Sequence, residues 1–401
     1  MTGSAAALDQ VRDQVGRALT DFLGRQRTLL AAVDVALLPS MDAIADLLSG
    51  GKRLRAAFCF WGWRAAGGAD CLPGSGADGL AGGAASGRLE AAGGAPSMAG
   101  AGTAAGAGIM SAAAALELLH GSALVHDDVI DGSDTRRGQP SVHSRFAAHH
   151  AASGWRGSAE AFGTGTAILI GDLLLAWTDE LLRASGLPEA ALRRGQPVLD
   201  VMRAEMIAGQ YLDLLGQAAG TGTVASALKV ITYKSAKYTV ERPLQLGAAL
   251  AGAVTDGMTA TAGTEQMVAA ACTAYGIPLG VAFQLRDDVL GVFGDPAQTG
   301  KPVGGDLREG KRTVLMAIAT SRVNGRQAAV LRRHLGDPGL DEAAAAEIRA
   351  VLAETGALAE CEQMIGSGVR QALGALADAP FTEAAKAALA ELALTLTDRA
   401  G

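Results

Sequence analysis

Residues 110–138 read MSAAAALELLHGSALVHDDVIDGSDTRRG, beginning at Met110 and ending at Gly138. At about 100° per residue, Leu116, His120, Ala123, Asp127 and Asp131 fall in one stripe roughly 80° wide, so carboxylates continue the apolar face of a helix. The pattern predicts that helix from near Met110 to Asp131. A second helix from about Gln266 to Val292 repeats the design, with Gly276, Gly280, Phe283, Gln284 and Asp287 near one face and Asp288 beside it.

Working outward, apolar residues recur at helical spacing in almost every window, and alternating Val/Ile runs bounded by hairpin turns are missing. The expected fold is all-α: a single helical bundle, residues 1–401, around a central cavity. Residues 67–108 are almost wholly Gly, Ala, Ser and Pro and read as a flexible insertion without a core of its own. Residues 294–306 are full of helix breakers and read as a loop.

Composition agrees. Apolar residues make up 49% of the 401-residue chain but aromatics only 4%, so the apolar content is mostly Ala, Leu and Val, which favour helix. With 34 basic and 41 acidic residues the net charge is -7, which argues against a nucleic-acid partner or a polybasic membrane anchor. Cys59, Cys71, Cys272 and Cys361 lie far apart without zinc-ligand or disulfide-framework spacing. Asp9, Arg12, Asp13 and Arg17 stand where a signal sequence would be apolar, and no uncharged apolar stretch approaches the ~20 residues that span a bilayer. The expectation is a soluble, cytoplasmic chain with no transmembrane segment.

Asp127, Asp128 and Asp131 stand at i, i+1 and i+4, one helical turn apart. Taken alone, the cluster reads equally well as an acidic helix end making surface salt bridges. Three like charges this close are costly unless a cation joins them, and hard oxygen ligands favour Mg²⁺. A second acidic pair, Asp287 and Asp288 in QLRDD, lies on another apolar helix. Mg²⁺ is usually held by one or two carboxylates plus substrate phosphates, so two such helices predict a diphosphate-bearing ligand. Basic residues should then surround it, and GKRLR (51–55), Arg136-Arg137, Lys234-Ser235, Lys301 and Lys311 fall near predicted helix ends or loops.

GKRLR, DDVIDGSDTRRG, YKS and QLRDD, in this order, resemble the trans-prenyltransferase (polyprenyl synthetase) family of isoprenyl diphosphate synthases, most closely bacterial geranylgeranyl-type members. The likeness covers roughly residues 15–65 and 109–400. It implies an all-helical fold, usually a homodimer, that joins isopentenyl diphosphate head-to-tail to an allylic diphosphate. It also implies about three Mg²⁺ per site, held by Asp127, Asp128, Asp131, Asp287 and Asp288, which with Lys234 form the catalytic set. Arg136, Lys234, Ser235, Gln284, Lys301 and Lys311 match the allylic-diphosphate shell. Gly51, Lys52, Arg55, His120 and Arg137 match the isopentenyl-diphosphate site.

The chain departs from that pattern at Gly291, where the commoner family form has a third aspartate. Ser122 and Ala123, just before Asp127, are small and leave a chain-elongation tunnel open, with Leu119 and Leu116 one and two turns deeper as its floor. The expected product is geranylgeranyl diphosphate, with a C25 or longer polyprenyl product as the alternative. A terpene cyclase would share the helices and DDxxD but would carry an Asn/Ser/Glu metal motif in place of QLRDD and has no need of GKRLR. A noncatalytic subunit of a heteromeric synthase is the other alternative, which full activity of the isolated chain would exclude.

Overall fold

The computed structural model describes residues 2–69, 72, 98–220, 222–252, 254–255, 258–259, 262–294 and 304–397. Its helices are α1 (Thr2–Val33), α2 (Leu38–Leu48), α3 (Leu54–Ala65), α4 (Met98–Ile130), α5 (Val142–Ala152), α6 (Ala159–Arg183), α7 (Glu189–Ala219), α8 (Val224–Val230), α9 (Arg242–Ala251) and α10 (Ala262–Phe293). Further helices run Val314–Arg322, Gly325–His334, Glu342–Glu354, Ala357–Ala377 and Glu383–Thr397. Strands among the described residues are confined to two antiparallel hairpins of two-residue strands, Thr135–Arg136 with Gln139–Pro140 and Val254–Thr255 with Met258–Thr259. The architecture is an all-α bundle.

Two helices organise it. Residues Ala112 to Leu119 of α4 are buried on every side, packed by α1, α3 and α6. α10 runs through two apolar clusters: Cys272, Tyr275 and Leu279 join the main core, while Ala282, Leu285, Val289 and Val292 pack with the C-terminal helices. The acidic ends of both helices therefore sit on rigid, buried supports.

Between α8 and α9 the chain continues as an 11-residue π-helical segment, Ile231–Glu241. α7 and α10 hold it from either side. A Cβ on Gly209 of α7 would lie 2.4 Å from the Lys234 nitrogen, and one on Gly280 of α10 would lie 2.5 Å from Ala236 Cα. Only glycine allows backbones to approach this closely. π segments widen the helix and recur at functional sites, and this one carries Lys234.

Two readings of the sequence need correction. α4 begins at Met98, so residues 98–108 are helical and not part of an insertion loop. Alanine has the highest helix propensity, and extending a helix from the buried segment after Ile109 adds one hydrogen bond per residue fixed, which the glycines there do not outweigh. The rest of that stretch, apart from residues 67–69 and 72, lies outside the described residues, as do Cys71 and Lys301. In addition, Ala105–Ile130, Ala159–Arg183 and Ala262–Phe293 are long and apolar enough to cross a membrane by length and composition. Their apolarity has different uses: the apolar window of the first is 78% buried inside the bundle, whereas that of α6 is only 39% buried, which leaves an apolar face uncovered.

Candidate active site

The last turn of α4 brings its three carboxylates together, and cations from three other segments lie over them. Asp128 is 1% exposed and accepts from Arg136 Nε at 2.8 Å and from its Nη2; Arg136 Nη2 is also 3.8 Å from Asp127. Asp127 Oδ1 accepts from Gln210 Nε2 at 2.8 Å and lies 3.4 Å from Lys234 Nζ, which also bonds Asp213 at 2.7 Å. Ser235 is half-buried beside Lys234. Asp131 lies 3.5 Å from Lys311 Nζ.

Burial raises the Asp128 carboxyl pKa even against the Arg136 hydrogen bond. Burial and the neighbouring Asp127 push Asp131 up to about 6, against Lys311 and Lys234. On α10, Gln284 Nε2 donates to Asp288 Oδ1 at 2.8 Å. Burial pushes Asp288 up to about 7, with Asp306 and Asp287 adding to it and the Gln284 bond opposing. Lys311 ties the α4 carboxylates to the segment after α10, since its Nζ is also 3.5 Å from Asp306 and 2.7 Å from Glu309. Burial works against its charge, but Asp306, Glu309 and Asp131 hold it protonated above the usual lysine range.

A second cluster is cationic. In the hairpin after α4, Arg137 and Gly138 form the two-residue turn with φ +54° and +75°, the pattern of a type I′ turn. This turn sends Arg136 to Asp128 and its neighbour elsewhere: a Cβ on Gly51 would meet Arg137 Nη2 at 3.1 Å. Burial, then Arg53, lowers the Arg137 pKa, with Glu117 opposing and Arg136 and Arg55 adding. Arg55 Nη2 donates to Thr239 at 3.0 Å, and its guanidinium stacks 4.2 Å over the Tyr238 ring. His120 is held well below its usual pKa by burial and then by Arg55, Arg137, Arg136 and Arg53. Its Nδ1 and the Arg55 Nε are buried without a hydrogen-bond partner. Lys52 is exposed at the rim of this cluster.

Two anion-receptive regions thus share one hairpin. A cleft of about 490 Å³ opens between α1 and the start of α3, lined by residues including Arg17, Gly50, Gly51 and Arg53, on the cationic side. Beneath the aspartates, Leu116, Leu119 and Ser122 are buried in the core and Ala123 packs half-buried against it.

Among the described residues, no three His, Cys, Asp or Glu side chains converge as a ready-made metal cage. The donor set still suits Mg²⁺. Asp128 Oδ2 is buried with no hydrogen-bond partner, the carboxylates crowd one another, and Mg²⁺ completes its shell from phosphates and water rather than from protein alone.

Several contributors were not read from the sequence. Arg53 is buried, with φ +51°, and pairs with buried Glu117 at 3.2 Å, bracing the GKRLR turn against α4. Gln210 and Asp213 stand one turn apart on α7, directly after the Gly209 contact, and that glycine followed by polar residues on one helix face was the available signal. Asp306 lies in the short helical turn Gly305–Arg308, at the end of a stretch that reads as a loop and to which sequence alone gives no partner.

An all-α bundle with two carboxylate-bearing helix ends under lysines and arginines, beside a separate cationic pocket, defines a class: helical enzymes that handle diphosphate substrates. Residues 40–354 match the polyprenyl synthetase family, and the chain belongs to it as a trans-prenyltransferase. It is 30% identical over 281 residues to a geranylfarnesyl diphosphate synthase of Aeropyrum pernix, covering 69% of this chain and 78% of that one. A geranylgeranyl diphosphate synthase of Mycobacterium tuberculosis is 35% identical over 208 residues, spanning 51% of this chain but only 50% of its own length. Other relatives from that organism are named farnesyl and nonaprenyl diphosphate synthases. The crystal structure of a geranylgeranyl pyrophosphate synthase from Corynebacterium glutamicum, complexed with isoprenyl diphosphate and magnesium, matches with a TM-score of 0.83 at 36% identity. The match covers 98% of this chain and 99% of that one.

Proposed function

We propose that the chain condenses isopentenyl diphosphate head-to-tail with an allylic diphosphate in a Mg²⁺-dependent reaction, releasing geranylgeranyl diphosphate. The observation that carries this reading is the division of Arg136 and Arg137 between two clusters. A cyclase acting on one diphosphate needs only the acidic cluster; a condensing enzyme needs both.

In this reading Asp127, Asp128, Asp131, Asp287 and Asp288 hold the metal, and Arg136, Lys234, Ser235, Gln284, Lys311 and Lys301 receive the allylic diphosphate. Mg²⁺, when bound, supplies Lewis-acid charge for the departing diphosphate. Arg136, Lys234 and Lys311, now laid on aspartates, exchange those partners for phosphate oxygens and so meet the charge that develops as the carbon–oxygen bond breaks. Gly51, Lys52, Arg55, His120 and Arg137 hold isopentenyl diphosphate with its double bond towards the allylic cation. Apolar helix faces exclude water from that cation. The proton lost at the end goes to the released diphosphate, since among the described residues no side chain in the site is arranged as a general base.

Product length is assigned from small Ser122 and Ala123 above Leu116 and Leu119. Purified protein supplied with Mg²⁺, isopentenyl diphosphate and allylic primers should release chiefly C20 diphosphate by mass spectrometry. Chiefly C15, or C30 and above, overturns the product assignment, and cyclic hydrocarbon from geranylgeranyl diphosphate alone overturns condensation. Replacing Leu116 and Leu119 by Ala should lengthen the product.

The reading also includes one catalytic domain, a homodimer and a cytoplasmic location. Its supports are the exposed apolar residues Leu169 on α6 (70%) and Ile207 and Tyr211 on α7 (56% and 64%), apolar surface of the kind that a second copy covers, and the buried free thiols of Cys59, Cys272 and Cys361. Light scattering on the purified chain, reporting twice the monomer mass, tests the dimer.

A further inference from the structure

The two acidic helix ends differ at one position. On α4, carboxylates stand at i, i+1 and i+4 as Asp127, Asp128 and Asp131; on α10, Asp287 and Asp288 are followed at i+4 by Gly291. Glycine weakens a helix interior relative to alanine, and Gly291 is not among the glycines with positive φ, so backbone conformation does not call for it. Space does. A Cβ at 291 would lie 2.2 Å from Asp306 Oδ2 and 3.0 Å from Asp306 Cγ.

Asp306 reaches that place from the short turn Gly305–Arg308. Its backbone carbonyl accepts from the Lys311 N–H at 3.0 Å, and its Oδ1 lies 3.5 Å from Lys311 Nζ. The same Nζ is 3.5 Å from Asp131, the i+4 carboxylate of α4. One oxygen of Asp306 therefore faces the lysine that reaches Asp131 of the other cluster, while the other occupies the i+4 face of α10. Its side chain is 13% exposed, so it is held in this position by packing rather than trailing in solvent.

We propose that Asp306 stands in for the missing i+4 carboxylate of α10, as a positioning residue for the Mg²⁺–diphosphate end of the site, and that position 291 is glycine in order to admit it. This rests on the proposed function. The two acidic ends are then equivalent in chemistry though not in chain order: one cluster is written in a single helix, and the other is completed across a loop.

The test is Mg²⁺-dependent binding of inorganic diphosphate to the full chain, followed by calorimetry without allylic substrate, so that no turnover is needed. Asp306→Ala should weaken that binding about tenfold or more, as loss of outer-shell partners does. Asp306→Asn, which keeps the shape and removes the charge, should do the same, and this separates the carboxylate from folding. Gly291→Asp alone should also weaken binding, because its Cβ collides with Asp306. The decisive variant is the transplant, Gly291→Asp with Asp306→Ala. Asp306 Cβ lies 3.8 Å from the new Cβ, which is ordinary contact, so the pair fits. It should restore binding to within about threefold of the parent. A merely structural Asp306 would not be rescued by a carboxylate on another element. The inference is overturned if Asp306→Ala and Asp306→Asn bind as the parent does, or if the transplant is no better than either single change. If the parent itself shows no Mg²⁺-dependent diphosphate binding, the proposed function falls and takes this inference with it.

Discussion

The acidic cluster at the ends of α4 and α10 and the cationic cluster around Gly51, Arg55, His120 and Arg137 lie on either side of one hairpin, yet they manage charge in opposite ways. In the first, carboxylates and cations are already paired: Arg136 on Asp128, Lys234 on Asp127, Lys311 between Asp131 and Asp306. A substrate there must displace existing partners, and a metal ion makes that exchange favourable. In the second, guanidinium groups crowd a histidine that burial keeps neutral, and the Arg55 Nε and His120 Nδ1 have no partner. That side is preorganised for an anion and needs no metal. The two diphosphates of a condensation reaction differ in the same way, since one must leave and the other must only be held.

The comparison breaks most sharply at Asp127. Asp127→Ala should lower kcat by about 10³-fold or more, the scale of losing a transition-state electrostatic contact or metal ligand. The KM for isopentenyl diphosphate should stay within a few-fold of the parent. A comparable collapse of isopentenyl diphosphate binding would mean that the two clusters act as one. Next in size are the adjacent arginines. Arg137→Ala should raise the KM for isopentenyl diphosphate about tenfold to a hundredfold, since a charge-assisted hydrogen bond contributes about 1.5–3 kcal/mol, with kcat little changed. Arg136→Ala should instead depress kcat. Identical kinetics for the two variants would remove the division on which the functional reading rests.

A smaller effect follows from pH. Metal binding requires deprotonated ligands, and burial pushes Asp288 to about 7 and Asp131 to about 6. The Mg²⁺ concentration for half-maximal activity should therefore rise as pH falls below 7, by up to about tenfold per unit for one proton. The KM for isopentenyl diphosphate, governed by arginines and neutral His120, should not follow it.

Much of the acidic cluster was legible in sequence because its chemistry is local. Asp127 and Asp131 share a helical face by spacing alone, with Asp128 beside it, and burial of that face follows from the apolar residues before it. What sequence missed is non-local or counter to average propensity. The family resemblance alone divides Arg136 from Arg137 in the sequence; the physical cause of the division is a turn whose first position is a non-glycine residue at φ +54°. Asp306 contributes only through contacts with Gly291 and Lys311. The start of α4 was placed late because glycine among alanines resembles a loop, although the helix grows out of a buried segment. On α6 Leu169 is exposed, and composition does not tell a covered face from an uncovered one.

The last and smallest effect is on stability, and there the two clusters should carry opposite signs. Asp288 ionises near 3.8 when unfolded and at about 7 when folded, so between those values the folded chain binds a proton that the unfolded chain does not. Its stabilisation is full below the lower value and is lost as pH rises through the upper one. His120 behaves inversely. Its folded pKa lies well below 6.5, so under mildly acidic conditions the unfolded chain takes the proton and stability falls with falling pH. In the absence of Mg²⁺, the change in Tm on moving from about pH 7.5 to about pH 5.5 should therefore be displaced in opposite directions from the parent's by variants of the two residues. Asp288→Asn removes its share of the gain on acidification, leaving that of Asp131, and so lowers the Tm change by a few degrees relative to the parent, whereas His120→Gln removes the loss and raises it. Differential scanning fluorimetry at the two pH values reads both. If the two variants shift the same way, acidic and cationic clusters do not differ in how burial treats their charge, and the contrast drawn between them is wrong at its physical root.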